Sequence, residues 1–195
     1  LYGATKLASD KLFIAANNLV GNAKTRFTVV RYGNVLNSRG SVVPYFKELS
    51  EKREKFFPIT HPKMTRFWIS LSDAVKFVDY SFKIMHGGEI FVPKIPSIKI
   101  IDLAKAINPK MRIKVIGIKP GEKLHEIMCP RDSAHLTFEF KKHYLIKPDV
   151  VFFNINKKNK RKFISKRGKK VKSNFEYNSE SNNQYLNISQ IKKLI

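Results

Sequence analysis

Helical and strand-like apolar patterns alternate along the first 130 residues, and this alternation constrains the fold more than any single motif. Leu7, Leu12, Ile14, Ala15 and Leu19 recur at near-helical spacing over residues 1–20, with Gly21 where a helix stop belongs. Arg26–Arg31 (RFTVVR) then reads as a short buried strand. A polar loop bracketed by Gly33 and Gly40 leads to a helix from about Val42 to Lys55. Pro58 and Pro62 bracket a short extended piece, and Arg66–Ile69 (RFWI) looks extended. A well-patterned helix follows over Leu71–Met85, with Ser70 or Ser72 as its N-cap. Glu89–Pro93 reads as a strand, Ile100–Ile107 as a helix, Arg112–Ile116 as a strand and Gly121–Met128 as a helix entered through Pro120. Such a succession predicts an α/β arrangement with largely parallel pairing. No internal repeat is visible, and the composition shifts near residue 147, so residues 148–195 are expected to form a peripheral extension, partly ordered at best.

Charge is the next constraint. The 195 residues carry 38 Lys and Arg against 15 Asp and Glu, a formal charge of +23. Such an excess suggests nucleic acid, but Lys outnumbers Arg 29 to 9, alongside 20 Ile and 14 Asn. That bias is what an AT-rich coding sequence produces, whereas base readout leans on arginine. Ten of the basic residues lie between Lys157 and Lys172, where only Phe163 supplies an aromatic ring. Without that run, 28 basic residues still face 15 acidic ones, so the excess is spread over the chain. It reads as a solvated surface rather than a nucleic-acid patch.

Other classes fall away on residue counts. A single cysteine, Cys129, allows no internal disulfide and no Cys-rich zinc site, and a reducing cytoplasm is the default compartment. The five histidines show no zinc-ligand spacing, so no metal is expected. No apolar run approaches the roughly 18 residues of a membrane span, and no signal peptide is visible. The chain opens on Leu1 rather than Met, as a piece of a longer polypeptide would. His125 and Cys129 read as packed residues, Trp68 as core, and Asp73 and Asp79 as surface or capping positions.

The sharpest chemical motif is Tyr2-Gly-Ala-Thr-Lys6. Positions i and i+4 share a helix face. An ammonium beside a phenol favours the phenolate, lowering its pKa from about 10, so that it can accept a hydroxyl proton. Alone, Y-x-x-x-K is weak evidence, since most such pairs are surface pairs. Here the strand–glycine stretch Val29–Val35 follows it, then Arg66 ahead of an aromatic strand, then Gly117–Lys123 (GIKPGEK). Gly-rich backbone after a strand commonly receives a ligand's polar groups. The lysines of the last stretch, at an expected helix start, suit a diphosphate.

Taken together, LYGATKLASDKLF (1–13), FTVVRYGNV (27–35), NSRGSVVPYF (37–46), MTRFWISL (64–71), HGGEIFVPKIPS (86–97), PGEKLHEIM (120–128) and FEYNS (175–179) resemble the C-terminal part of an extended short-chain dehydrogenase/reductase. Within that family they are similar to the inverting UDP-N-acetylglucosamine 4,6-dehydratases of pseudaminic acid biosynthesis. The membrane-anchored retaining dehydratases are the nearest alternative.

The resemblance implies an α/β fold made of the end of a Rossmann sheet and a small mixed α/β substrate-binding domain. It implies an NADP-binding Rossmann end over 1–40 and a substrate-binding region with a returning Rossmann helix and strand over 41–130. A basic C-terminal extension would occupy 131–195. Tyr2 and Lys6 match the catalytic, cofactor-ribose pair. Val35, Leu36, Asn37, Ser38 and Arg39 match a loop along the NADP nicotinamide. Asn34, Arg66, Lys119 and Glu122 match substrate contacts, Arg66 at the nucleotide. Two positions depart from the family. Lys119 stands where Arg is usual, which keeps the charge but loses the bidentate fork. Asn37 stands where Gly is usual and is expected to reshape the cofactor loop slightly.

The implied activity is NADP-dependent dehydration of UDP-N-acetylglucosamine to a UDP-4-keto-6-deoxy sugar with inversion at C5, by a homo-oligomeric enzyme. The family's Gly-rich dinucleotide fingerprint has no counterpart in these 195 residues, and its eliminating Asp and Lys precede the Tyr. The piece alone is therefore expected to be inactive. The alternatives are a retaining dehydratase or epimerase of the same family, or a silent basic remnant binding nucleic acid or a partner chain.

Overall fold

The computed structural model describes residues 2–21, 23–148 and 168–195. Their contacts divide into two compact units. Unit 1 comprises residues 1–31, 75–94 and 128–176, and unit 2 comprises 32–74, 95–127 and 177–195.

In unit 1, helix α1 (Tyr2–Ala15) ends in a 3-10 turn at Ala16–Asn18, shorter than the pattern predicts. Asn17 stops it. Its buried side-chain amide donates to the carbonyls of Ile14 (2.9 Å) and Phe27 (3.0 Å) and accepts from the Phe27 N–H (3.0 Å). That last bond takes the Phe27 N–H, leaving only its carbonyl to accept across from Gly88 (2.7 Å), and the expected strand 26–31 contracts to β1 (Val29–Val30). Salt-bridged Arg31 and Asp10, 2.7 Å apart, tie β1 to α1. Strand β1 lies parallel to β5 (Ile90–Pro93), with Val29 opposite Ile90. Antiparallel β10 (His143–Ile146), β9 (Thr137–Glu139) and β11 (Lys169–Lys170) complete the order β1-β5-β10-β9-β11. Phe91, Phe140 and Leu145 form the core under helix α3 (Leu71–Ile84), whose Phe77 and Ile84 pack on it.

In unit 2, β2 (Asn34–Val35) lies parallel to β4 (Thr65–Ile69), which pairs antiparallel with β6 (Ser97–Lys99). A separate parallel pair joins β3 (Phe56–Ile59) to β7 (Arg112–Val115). Val43 and Phe46 of α2 (Val42–Glu51) and Leu103 and Ala104 of α4 (Ile100–Ile107) close the core over Phe57, Ile59 and Trp68. Trp68 is core, as its setting in the sequence implies.

Three expectations are corrected. Pairing is mixed rather than largely parallel, because β9 and β10 are joined by only Phe140–Lys142, too short for a parallel crossover. Gly121–Met128 is not a helix but a turn leading to β8 (Ile127–Cys129). Gly121 takes a left-handed φ of 79°, and the Leu124 carbonyl is claimed by the Thr65 N–H at 3.2 Å rather than by a helical partner. The third concerns the stretch beyond residue 131, expected to be an extension. Residues 137–146 build the sheet of unit 1, while 177–195 enter unit 2. There β12 (Tyr177–Asn178), the Ser179 that follows it and helix α5 (Ile188–Leu194) contribute buried side chains, Tyr177, Ser179 and Ile191. Asn182 donates to the Ile95 carbonyl (2.9 Å) and the Ser97 hydroxyl (3.0 Å), and Asn187 caps α5 in a capping box with Gln190. The polar composition of this tail serves backbone groups. Most of the basic run, 157–167, lies outside the described residues; Lys169 and Lys170 are exposed on β11.

Candidate functional site

The candidate residues fall in both units, and each set stands by itself. In unit 1, Tyr2 and Lys6 lie one turn apart on α1. The same helix leaves Leu7, Leu12 and Phe13 more than half exposed.

In unit 2, β2 delivers Asn34 and Val35 to the loop at residues 36–41. Gly33 is compulsory at its entrance, because a Cβ there would stand 2.5 Å from the Phe67 Cβ and 2.6 Å from the Phe67 carbonyl oxygen. The Leu36 N–H extends the parallel ladder to the Ile69 carbonyl at 2.9 Å. Asn37 then adopts φ 56°, a left-handed conformation that glycine takes freely and asparagine tolerates best among the rest. This position suits either residue, so the departure noted in the sequence fits the turn. The turn closes on itself through Ser38 N–H to Val35 carbonyl (3.3 Å) and Ser41 N–H to Ser38 carbonyl (3.0 Å). Asn34, Asn37, Ser38 and Arg39 remain exposed, Val35 and Leu36 are half-buried, and the buried Ser41 Oγ has no hydrogen-bond partner among the described residues. Exposed polar side chains with an orphaned hydroxyl beside them fit a loop lying along a polar dinucleotide.

Arg66 is the most heavily engaged candidate. Its side chain is 13% exposed. Nη1 donates to the carbonyls of Thr65 (2.7 Å) and Leu124 (3.1 Å), and Nη2 to that of Lys123 (2.9 Å). Glu126 lies 3.6 Å from Nε and Glu122 4.0 Å from Nη2. Burial lowers the guanidinium pKa, and the two carboxylates oppose that shift. Glu122 also accepts from the Lys119 N–H (3.2 Å) and the Thr60 hydroxyl (3.3 Å). The structure thus gathers Arg66, Lys119 and Glu122 around the 117–126 turn, with the Lys119 side chain exposed.

Residues 1–148 match the family described as polysaccharide biosynthesis protein. The chain belongs to that family.

Over its full length it is 54% identical to the inverting UDP-N-acetylglucosamine 4,6-dehydratase of Campylobacter jejuni, covering 58% of that longer protein as a C-terminal part. It is 37% identical over 197 aligned positions to a UDP-glucose 4-epimerase of Rickettsia bellii, 56% of which it covers. Among solved structures, Pen from Bacillus thuringiensis superposes with a TM-score of 0.80 at 30% identity, over 99% of this chain and 56% of that one. The fold is that of a C-terminal part of an extended short-chain dehydrogenase/reductase. Among the described residues, no helix is long and apolar enough to cross a membrane.

Sequence reasoning missed the polar cluster behind this family member's Arg66. The Thr65 hydroxyl meets Ser179 Oγ at 2.7 Å and His125 Nδ1 at 2.8 Å, and His125 Nε2 faces Glu180 at 3.4 Å. Glu126 was equally unmarked. Two features carried a signal: Thr65 directly precedes Arg66, and Glu126 ends a Glu122-x-x-x-Glu126 spacing. Cys129 is a buried thiol whose pKa burial pushes up to about 12, in keeping with a packing role.

Proposed function

We propose that this chain is the C-terminal, substrate-binding part of an NADP-dependent enzyme. That enzyme dehydrates UDP-N-acetylglucosamine to a UDP-4-keto-6-deoxy sugar with inversion at C5. The observation that carries the reading is 54% identity over every residue to a protein of that activity, against 37% to the epimerase. The chain spans little more than half of each relative, so the activity belongs to the complete polypeptide.

In this reading residues 1–40 are the end of the cofactor domain and 41–130 the substrate-binding region with a returning Rossmann helix and strand, while 131–195 contribute to both units. Tyr2 accepts the proton of the sugar 4-hydroxyl, and the Lys6 ammonium one turn away favours the phenolate and holds the cofactor ribose. Residues 35–39 line the nicotinamide cofactor, which supplies the hydride acceptor and donor. Asn34 orients the sugar. Arg66, with its charge held in a largely buried setting, faces the nucleotide diphosphate together with Lys119, and Glu122 takes a substrate hydroxyl. The apolar residues left exposed on α1 suit contact with the remainder of the polypeptide. A homo-oligomer in the cytoplasm completes the proposal, with the product destined for surface or flagellar glycans.

Product analysis by NMR tests this. The complete enzyme should convert UDP-N-acetylglucosamine to the C5-inverted 4-keto-6-deoxy sugar. A C5-retained product, or a 4-epimer with no loss of water, would overturn the reading in favour of the alternatives. The purified 195-residue chain should show no turnover.

A further inference from the structure

The tail segment at residues 177–180 is joined to the Arg66 turn through the buried Ser179, beside the His125–Glu180 contact. Ser179 is fully buried, and its Oγ lies between three partners. It meets the Thr65 hydroxyl at 2.7 Å, reaches the Thr65 carbonyl at 3.3 Å and accepts the Glu126 N–H at 2.9 Å. The Ser179 N–H returns a bond to the Glu126 carbonyl at 2.8 Å. Its own carbonyl is held by the Tyr185 hydroxyl at 2.6 Å.

These bonds converge on one group. Thr65 precedes Arg66 and its carbonyl accepts from Arg66 Nη1; Glu126 carries the carboxylate beside Arg66 Nε. Ser179 thereby fixes both the backbone from which the guanidinium springs and the backbone of its counter-ion. A guanidinium aims its donors as a rigid fork, so a small shift in either backbone re-aims the charge.

We propose that Ser179 is a positioning residue for Arg66: it sets the guanidinium for a nucleoside diphosphate without touching that ligand. The proposal rests on the reading of Arg66 as a nucleotide contact. Ser179 closes the FEYNS stretch of the family resemblance, which gives it no role, and it stands 113 positions beyond Arg66 in an Asn/Ser-rich tail.

The test is a double-mutant cycle in the complete enzyme, reading kcat, KM for UDP-N-acetylglucosamine and the inhibition constant for free UDP. S179A should raise KM and the UDP constant together by roughly tenfold, the scale of one misplaced charged hydrogen bond, with kcat within about twofold. In an R66K background the same change should add little, because the two act through one group. Unchanged constants in S179A, or full additivity with R66K, would overturn the positioning role. T65V and T65S make the test independent of whether S179A folds: T65V should reproduce the loss and T65S, which keeps the hydroxyl, should restore wild-type constants. Equal constants in T65V and T65S overturn the proposal. If R66K itself leaves KM and the UDP constant unchanged, it is the nucleotide-contact reading that falls, and the positioning role falls with it.

Discussion

Helix α1 and the Arg66 turn carry two separate sets of candidate residues, and they are built in opposite ways. The Arg66 turn is finished within its own unit: the guanidinium is shared among three carbonyls and two carboxylates, with a buried hydroxyl cluster behind it. Helix α1 instead shows solvent Leu7, Leu12 and Phe13, and Leu19 just beyond it is 86% exposed. Substitutions at the turn should therefore cost both folding and binding, whereas those at Tyr2 and Lys6 should cost chemistry alone.

The largest effect is expected on the helix. Tyr2→Phe removes the proton acceptor and should lower kcat of the complete enzyme by at least about 10²-fold, with the melting temperature little changed. A wild-type rate would remove Tyr2 from the mechanism.

At the turn the loss should be double. Arg66→Met takes one donor from each of three carbonyls and leaves two carboxylates without their cation. It should destabilise the fold by about 3 kcal/mol and raise KM more than tenfold. Denaturant titration alongside steady-state kinetics separates the two effects. A stable variant with raised KM would show that the turn is less self-sufficient than its hydrogen bonds imply. Gly33→Ala tests the same unit from the strand side. The added methyl meets Phe67 backbone rather than a flexible tip, so a loss of about 2–3 kcal/mol is expected by denaturant titration.

How much of this was legible follows the same division. The helix pattern of α1, the N-cap Ser70 with its Asp73 partner, and the strand around Trp68 were readable because each depends on neighbours a few residues apart. Their chemistry came from motif resemblance. The turn at 121–126 was read as a helix because Pro, Gly and Glu do open helices. What cancels the helix is remote: Thr65 and Arg66, some 60 positions earlier, take its carbonyls. The tail was discounted for the same reason. Asn182, Ser179 and Tyr177 look like loop composition until their partners at Ser97, Thr65 and Ile95 are in place. Polar residues that satisfy distant backbone leave no periodicity to detect.

At neutral pH the smallest expected effect lies in the core of unit 1, and it grows only with acid. His143 is 2% exposed, stacks on Phe140 with ring centroids 4.6 Å apart, and buries an Nε2 without a hydrogen-bond partner among the described residues. Burial, with the nearby Lys94 charge, pushes its pKa down to about 4. The unfolded chain, with a histidine pKa near 6.5, binds this proton more readily than the folded one. Stability from this group is therefore complete above about pH 6.5 and is lost as the pH falls towards 4, by up to about 3 kcal/mol. His143→Phe should keep the stacked ring, remove the orphaned nitrogen and flatten the melting-temperature profile between pH 6.5 and 4, with little change at pH 7.5. Arg66, whose charge persists throughout that range, should contribute no such slope, so an acid-dependent loss retained in His143→Phe would place the sensitivity outside this ring stack.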